Sequence, residues 1–171
     1  SLSIKAGDAL IDPLVINYSG GAADLADTKF EFDLDNDGNR ESVSQLASGS
    51  GFLAMDKNGD GSINDGGELF GPSTGSGFKE LAAYDGDKNG WIDENDAVYS
   101  SLRVWSKNPD GSDRLMGLAE VNVGAIYLGK ADTAFSLTDD ENQANGKIRE
   151  SGIYLGNDGR AGIVHELDLV V

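Results

Sequence analysis

Aspartate and asparagine recur at every second position in three short stretches of the chain, and each stretch has a glycine at its sixth position. The stretches begin at Asp33, Asp56 and Asp85. In such a loop the side chains at positions 1, 3 and 5 can converge on one ion, the glycine permits a sharp turn, and position 7 offers its carbonyl oxygen. A carboxylate near position 12 completes the oxygen shell that Ca²⁺ prefers. The spacing therefore predicts calcium-binding loops.

The stretch 85–96 satisfies all of these positions. It ends in an aspartate where glutamate is usual, and the shorter side chain predicts a weaker last ligand. Its predicted ligands are Asp85, Asp87, Asn89, the Trp91 carbonyl and Asp96.

The stretches 56–68 and 33–44 leave the closing ligand open. Position 12 is a glycine in the first and a serine in the second. In the first, the closing carboxylate falls one residue later, with Asn64 or Asp65 as alternatives, and the predicted ligands are Asp56, Asn58, Asp60, the Ser62 carbonyl and Glu68. In the second, the predicted ligands are Asp33, Asp35, Asp37, Asn39 and the candidate Glu41. We therefore expect two to three Ca²⁺ ions.

Two other interpretations fit a single stretch. One such run can be a solvated turn, but three runs with the glycine in place favour ion binding. Asp33-Leu34-Asp35 also resembles the nucleophile loop of an aspartate-dependent phosphatase, which follows a buried strand of a parallel sheet. The alternation in Phe30-Glu31-Phe32 indicates a half-buried strand and argues against that class.

The composition agrees with acidic loops on a folded core. The 171 residues carry 30 Asp and Glu against 13 Lys and Arg, a net charge of −17, and 39% of them are hydrophobic. This charge argues against a nucleic-acid partner, because phosphate binding needs clustered cations. The lack of cysteine excludes disulfides and thiolate metal sites, and the single histidine argues against histidine-dependent catalytic triads. No apolar run reaches the ~20 residues of a membrane helix.

Short elements must position these loops. Residues 28–33 alternate apolar and polar side chains and are expected to pair with residues 41–46 as a hairpin. Residues 77–84 have a helical pattern that leads into the third loop. The region 121–171 is expected to be rich in strands.

Two further patterns are typical of helix-loop-helix calcium sites, although residues 51–55, before the second loop, have the pattern of a strand, so we expect one and a half such hands and not a standard pair. Val98, Leu102 and Trp105 have the spacing of one helical face. Ile63 and Ile92 occupy position 8 of their loops and are expected to meet across a short strand. We therefore predict a single α+β domain with EF-hand-like calcium loops, short helices and antiparallel β-hairpins.

Several segments together resemble one known family. They cover roughly residues 12–128, and the block that follows the second loop is more specific than a loop motif alone. The segments are Asp12-Pro13-Leu14, Phe32-Asp33, residues 53–61, residues 64–71 with Glu68-Leu69-Phe70-Gly71, residues 77–82 and residues 101–105. They are similar to the calcium-dependent self-processing module of bacterial RTX (repeats-in-toxin) proteins.

The resemblance implies a cleavage reaction. In that family, calcium folds the module, which then cuts the Asp-Pro bond at its own N-terminal edge, here Asp12–Pro13. The new aspartate end can be joined to a lysine amine as an isopeptide bond. The chain would then consist of a leading segment, residues 1–12, and one calcium-binding module, residues 13–171.

This chemistry needs no external nucleophile. The Asp12 carboxylate can attack its own main-chain carbonyl to form a five-membered anhydride, and a twisted prolyl amide at Pro13 is a favourable leaving group. From the sequence we expect a calcium-binding module of a larger bacterial protein. Secreted or cell-surface location is expected because extracellular calcium suits weak loops. Calcium-triggered cleavage of the Asp12–Pro13 bond is the alternative.

Overall fold

Antiparallel strands dominate the computed structural model, which describes residues 10–19, 23–138 and 144–170. Most of the expected leading segment, residues 1–9, lies outside the described residues. The strands of the described ranges are β1 (Leu10–Ile11), β2 (Leu14–Asn17), β3 (Leu25–Phe32), β4 (Glu41–Leu46), β5 (Ser50–Met55), β6 (Trp91–Asp93), β7 (Leu102–Lys107), β8 (Asp113–Gly117), β9 (Ala125–Tyr127), β10 (Ala131–Thr138), β11 (Ala144–Leu155) and β12 (Ala161–Val170).

The expectation of an α+β domain is wrong, because the described chain is mostly β. Its helical residues form one six-residue helix, α1 (Gly77–Ala82), and three 3₁₀ turns at Gly66–Glu68, Tyr99–Ser101 and Ala119–Val121. None of the helices in these ranges is long and apolar enough to cross a membrane.

The predicted helix through Val98, Leu102 and Trp105 is a short 3₁₀ turn followed by a strand. Leu102 and Trp105 lie in β7, which pairs with β5 on one side and β8 on the other. Those ladders satisfy the backbone hydrogen bonds of this segment, so long-range pairing overrides a local spacing that happens to fit a helix.

Ten of the described strands form one antiparallel sheet. The order along its main path is β6-β9-β11-β12-β2-β5-β7-β8, with β1 also paired to β12 and β10 to β11. The remaining two, β3 and β4, form the predicted hairpin, with Phe30 opposite Val43. The early strand β2 thus lies between the last strand, β12, and β5, in the middle of the sheet.

Both faces of the middle of the sheet are buried. Side chains alternate between faces along a strand, so Leu14 and Ile16 of β2 join one apolar cluster and Val15 joins the other. Helix α1 covers the first face through Phe78 and Leu81, which belong to the same cluster as Leu14.

An aromatic cluster holds the β3–β4 hairpin against the second face. The ring centroids of Phe30 and Phe32 in β3 lie 5.7 and 4.8 Å from that of Trp105 in β7. Aromatic pairs at such distances contribute beyond their buried area. The hairpin, which carries the loop beginning at Asp33, is thereby anchored on the sheet.

The expected meeting of Ile63 and Ile92 does not occur. Ile92 lies in β6 and pairs with Ile126 of β9, in the cluster under α1. Ile63 is buried in the other cluster, with Trp105. The two loops therefore attach to different parts of the sheet and do not form an EF-hand pair.

Candidate functional site

The three acidic loops share one pattern of side-chain to backbone hydrogen bonds. The carboxylate at position 1 accepts the N–H of the glycine at position 6, the side chain at position 3 accepts the N–H of position 5, and the side chain at position 5 accepts the N–H of position 7. The glycine bonds are Gly38 to Asp33 (3.0 Å), Gly61 to Asp56 (2.7 Å) and Gly90 to Asp85 (2.9 Å). The others join Asp37 to Asp35, Asn39 to Asp37, Asp60 to Asn58, Ser62 to Asp60, Asn89 to Asp87 and Trp91 to Asn89.

The backbone of each loop is left-handed at positions 4 and 6. The φ angles at position 4 are 59° at Asn36, 72° at Gly59 and 54° at Lys88. Those at the position-6 glycines are between 82° and 94°. Positive φ favours glycine and asparagine, which explains the residues found at these positions apart from Lys88.

A carboxylate closes each loop by accepting the N–H of position 2. Glu41 accepts from Leu34 (2.7 Å), Glu68 accepts from Lys57 (3.1 Å) and Asp96 accepts from Gly86 (2.8 Å). Glu68 and Asp96 also accept the N–H of position 9, from Asn64 and Asp93. Glu68 therefore has the same contacts as Asp96, although it lies one residue further along its loop.

The alternative closing residues of the second loop bond elsewhere. Asp65 accepts the N–H of Gly67 (2.8 Å) and so caps the 3₁₀ turn that follows. The Asn64 side chain accepts from the side chain of Asn58 (2.8 Å).

Two of the loops bring carboxylates close enough to share one ion. Oxygens of Asp33, Asp35, Asp37 and Glu41 all lie within 4.8 Å of one another, and those of Asp85, Asp87 and Asp96 do the same. Both groups could hold a metal ion. A separation of 4.8 Å is about twice a Ca–O distance of ~2.4 Å, so oxygens this close together are compatible with one shared ion.

Charge crowding is visible in the first group. Partial burial raises the pKa of Glu41 above its ordinary value, and the nearby charges of Asp35 and Asp33 act in the same direction. A cation among these carboxylates would relieve the repulsion.

The first two loops are joined to each other. The Gly66 N–H donates to the carbonyl of Asp33 (2.8 Å), and a Cβ at position 66 would overlap the carbonyl oxygen of Leu34. Glu68 ends the same 3₁₀ turn. The closing carboxylate of the second loop is thus fixed relative to the first residue of the first loop.

The Asp12–Pro13 peptide lies within the sheet. It connects β1 to β2, both of which pair with β12. The Leu167 N–H donates to the Pro13 carbonyl (3.0 Å), and the Leu14 N–H donates to the Phe70 carbonyl (2.8 Å). The next peptide along the chain, Pro13–Leu14, is therefore bonded on one side to β12 and on the other to the segment that leaves the second acidic loop.

Gly71 packs directly on the Asp12 carbonyl group. A Cβ at position 71 would overlap the carbonyl oxygen of Asp12 and lie 2.7 Å from its carbon, and φ is +120°. The Gly71 N–H donates to the carboxylate of Glu80 in α1 (2.7 Å). This explains the glycine in the Glu68-Leu69-Phe70-Gly71 block, because no side chain fits against the peptide.

The Asp12 carboxyl group is shielded from solvent, and its pKa is raised. Its side chain is 13% exposed, and it accepts from Nη1 of Arg149 at 3.0 Å. Burial raises the pKa of Asp12 to about 8, and a hydrogen bond to the Asp168 carboxylate together with the negative charge of Asp168 adds to the effect.

A second carboxyl pair lies beside the first. Glu166 is fully buried, and it accepts the Gly77 N–H at the start of α1 (2.9 Å). Burial raises the pKa of Glu166 to about 7, and a hydrogen bond with Glu150 acts in the same direction. The sequence analysis missed Arg149, Glu166 and Asp168. The available signal was a pair of acids, Glu166 and Asp168, in a mostly apolar strand. Residues at alternate positions of a strand lie on the same face.

Comparison with known proteins gives a family match. A sequence model described as the SPM domain matches residues 14–170. The iron-regulated protein FrpA of Neisseria meningitidis serogroup C, an RTX-family protein, is 32% identical over 165 residues. The alignment covers 86% of this chain and 14% of FrpA, so the chain spans about 14% of that relative's length. These two matches confirm the family resemblance to RTX proteins that the sequence suggests.

Proposed function

Because the chain belongs to the SPM domain family, we propose that it is a calcium-binding module of a larger, secreted RTX-type protein. Two or three Ca²⁺ ions fold or stiffen it. The proposed ligands are those predicted from the spacing, with Glu41, Glu68 and Asp96 closing their loops.

The repeated loop geometry is the observation that carries this proposal. The same hydrogen bonds recur in all three loops, and two of the loops gather carboxylates within 4.8 Å. Calcium fits better than magnesium, because Ca²⁺ accepts a large, flexible set of oxygen ligands and Mg²⁺ demands a near-ideal octahedron and retains water.

Bound calcium would also stabilise the folded module against unfolding. The chain carries a net charge of −17, and its loops place like charges side by side. An ion that binds the folded loops and not the unfolded chain stabilises the fold by mass action. Extracellular calcium is abundant enough for loops of modest affinity.

Terbium luminescence tests calcium binding. Terbium occupies calcium sites, and Trp91 lies within the third loop, so tryptophan excitation should sensitise bound terbium. Asp85→Ala should remove most of this signal, and added calcium should compete it away. Asp110→Ala, in the exposed turn between β7 and β8, is the matched control and should retain the signal. No luminescence, or equal luminescence in Asp85→Ala, would contradict the proposal.

Self-cleavage at Asp12–Pro13 is a second candidate function, favoured by the surroundings of that bond. In the reaction, an Asp12 carboxylate oxygen bonds to the Asp12 carbonyl carbon, the C–N bond breaks, and the Pro13 nitrogen leaves with a proton. Water then opens the anhydride to two carboxyl groups. A lysine amine that attacks instead forms an isopeptide bond and leaves one carboxyl group.

Orientation supports this chemistry. Bonds to Phe70 and Leu167 hold the adjacent Pro13–Leu14 peptide on both sides, and burial restricts the Asp12 side chain. Fixed geometry of this kind contributes up to ~7–11 kcal/mol in favourable intramolecular reactions. The second acidic loop leads directly into Gly71, which packs on the Asp12 carbonyl, so an ion bound at Glu68 would lie three residues along the chain from that contact.

Cleavage is tested by adding calcium to protein purified without it. Mass spectrometry should find a fragment that begins at Pro13, and hydroxylamine should trap the anhydride as a hydroxamate at Asp12. Asp12→Ala should remain intact. A wild-type chain that binds calcium and stays uncut for many hours would exclude this function.

A further inference from the structure

We propose that Asp168 is a catalytic residue for cleavage of the Asp12–Pro13 bond: it shares one proton with Asp12 and delivers that proton to the Pro13 nitrogen. This inference rests on the self-cleavage proposed above. It adds the source of the proton that the leaving nitrogen needs.

Strand register places Asp168 at the reacting residue. Ile11 pairs with Leu169 before the Asp-Pro bond, and Leu14 pairs with Glu166 after it. The register on both sides is the same, so Asp168 lies directly opposite Asp12 across an antiparallel ladder. Side chains of directly opposed residues lie on the same face of a sheet, about 4.5–5.5 Å apart at Cβ.

One guanidinium contacts both carboxyl groups. Nη1 of Arg149 lies 3.0 Å from Oδ2 of Asp12 and 3.5 Å from Oδ1 of Asp168. The ladder between β11 and β12 shifts register between Ile148 and Glu150, so Arg149 occupies a bulge. Bulges redirect side chains, and this one directs Arg149 to both acids.

A proton shared with Asp168 gives a hydrogen bond to the Asp12 oxygen that Arg149 does not contact. Oδ1 of Asp12 is buried and has no donor among the described residues. Two buried carboxylates side by side repel, whereas one proton between them provides a hydrogen bond and leaves one negative charge for Arg149 to balance. Burial is the first cause of the raised pKa of Asp12, and the neighbouring Asp168 carboxyl group is the second.

Other charged groups near Asp12 come from three neighbouring elements. Glu166 of β12 adds negative charge and supports the protonated form of Asp12. Glu80 of α1 binds the Gly71 N–H, on the other side of the peptide. Arg149 of β11 is the cation that acts against them.

The step balances with one proton and one negative charge. The ionised Asp12 oxygen bonds to the carbonyl carbon, the C–N bond breaks, and the Asp168 carboxyl group gives its proton to the Pro13 nitrogen. The products are a neutral anhydride, a neutral secondary amine and an Asp168 carboxylate paired with Arg149. The net charge of the site is unchanged.

The rate of cleavage as a function of pH tests this role. In calcium-loaded protein, the wild-type rate should fall above about pH 8, where the pair loses its proton. Asp168→Asn keeps the size of the side chain but carries no exchangeable acidic proton, so cleavage should slow by ~10²–10⁴-fold and lose the alkaline decline. Asp158→Asn, in the exposed turn before β12, is the matched control and should cleave as the wild type does.

A titration of Asp12 itself separates this role from a structural one. In the uncut Pro13→Ala chain with calcium, the ¹³C shift of the Asp12 carboxyl group should titrate near pH 8. Adding Asp168→Asn should lower that midpoint. Terbium luminescence of both chains should be equal, which shows that the fold is intact.

The outcomes distinguish the two proposals. If wild-type protein cleaves and Asp168→Asn cleaves at a similar rate with the same pH dependence, Asp168 has no such role and self-cleavage stands. If the Asp12 midpoint is ordinary, the shared proton is wrong. If wild-type protein with bound calcium never cleaves, both proposals fail.

Discussion

Glu68→Gln removes one negative charge from the carboxylate that closes the second acidic loop while preserving its size. Glu68 is 5% exposed, and its two oxygens accept backbone N–H groups from Lys57 (3.1 Å) and Asn64 (2.7 Å). Glutamine has one oxygen, so one of these N–H groups must face an amide NH₂. A buried donor left without an acceptor costs ~1–3 kcal/mol.

This cost sets the expected loss of stability without calcium. For a chain of 171 residues, 1 kcal/mol corresponds to a melting shift of ~2–4 °C, so calcium-free Glu68→Gln should melt ~2–12 °C below the wild type. With calcium, the second loop also loses a charged ligand, and its affinity should fall more than ~tenfold, or ~1.4 kcal/mol.

Differential scanning calorimetry and calcium titration calorimetry measure the two effects. Glu94→Gln is the matched control, because Glu94 is an exposed glutamate within the third loop, and it should change neither quantity. If Glu68→Gln melts and binds calcium as Glu94→Gln does, Glu68 does not close its loop and the comparison with Asp96 is wrong.

Three further results are expected. Gly71→Ala should slow self-cleavage by ~10²-fold or more, because a methyl group there displaces the Asp12 carbonyl, while terbium luminescence is unchanged; normal cleavage would contradict this packing. Gly66→Ala should weaken calcium binding at the first and second loops together and spare the third, as measured by titration calorimetry. The free energy of unfolding should fall as pH rises from about 5 to 8 and then level off, because the folded pKa values of Asp12 (about 8) and Glu166 (about 7) exceed their unfolded values of 3.8 and 4.5. Denaturant titrations of calcium-free protein should show this slope, and it should disappear in the Asp12→Asn/Glu166→Gln double variant.

The acidic loops could be predicted because their geometry is local. Nearly all the bonds that shape them join residues two to five positions apart, such as Asp85 to Gly90. Side-chain carboxylates of aspartate bond nearby backbone readily, and glycine tolerates positive φ, so residue type and spacing carry the information. The hairpin of β3 and β4 was predicted for a similar reason, since its strands are neighbours in the chain.

The fold class could not be predicted in this way. The spacing of Val98, Leu102 and Trp105 fits a helix face, and only pairing with β5 and β8 makes that segment a strand. The separation of Ile63 and Ile92 depends on β9, which lies far along the chain and pairs with β6. Pairings of this kind depend on distant residues that no local pattern contains.

The sequence by itself determined the acidic loops, with their spacing and their glycines, because each loop folds on its own side chains. It also placed an Asp-Pro bond near the start of the chain. Only the tertiary structure decided what surrounds that bond. Strand β12, at the other end of the chain, pairs across it in a register that sets Asp168 opposite Asp12, and a bulge in β11 brings Arg149 to both. Register is a long-range property of the whole sheet, and it gives Asp12 a buried carboxyl group with a raised pKa.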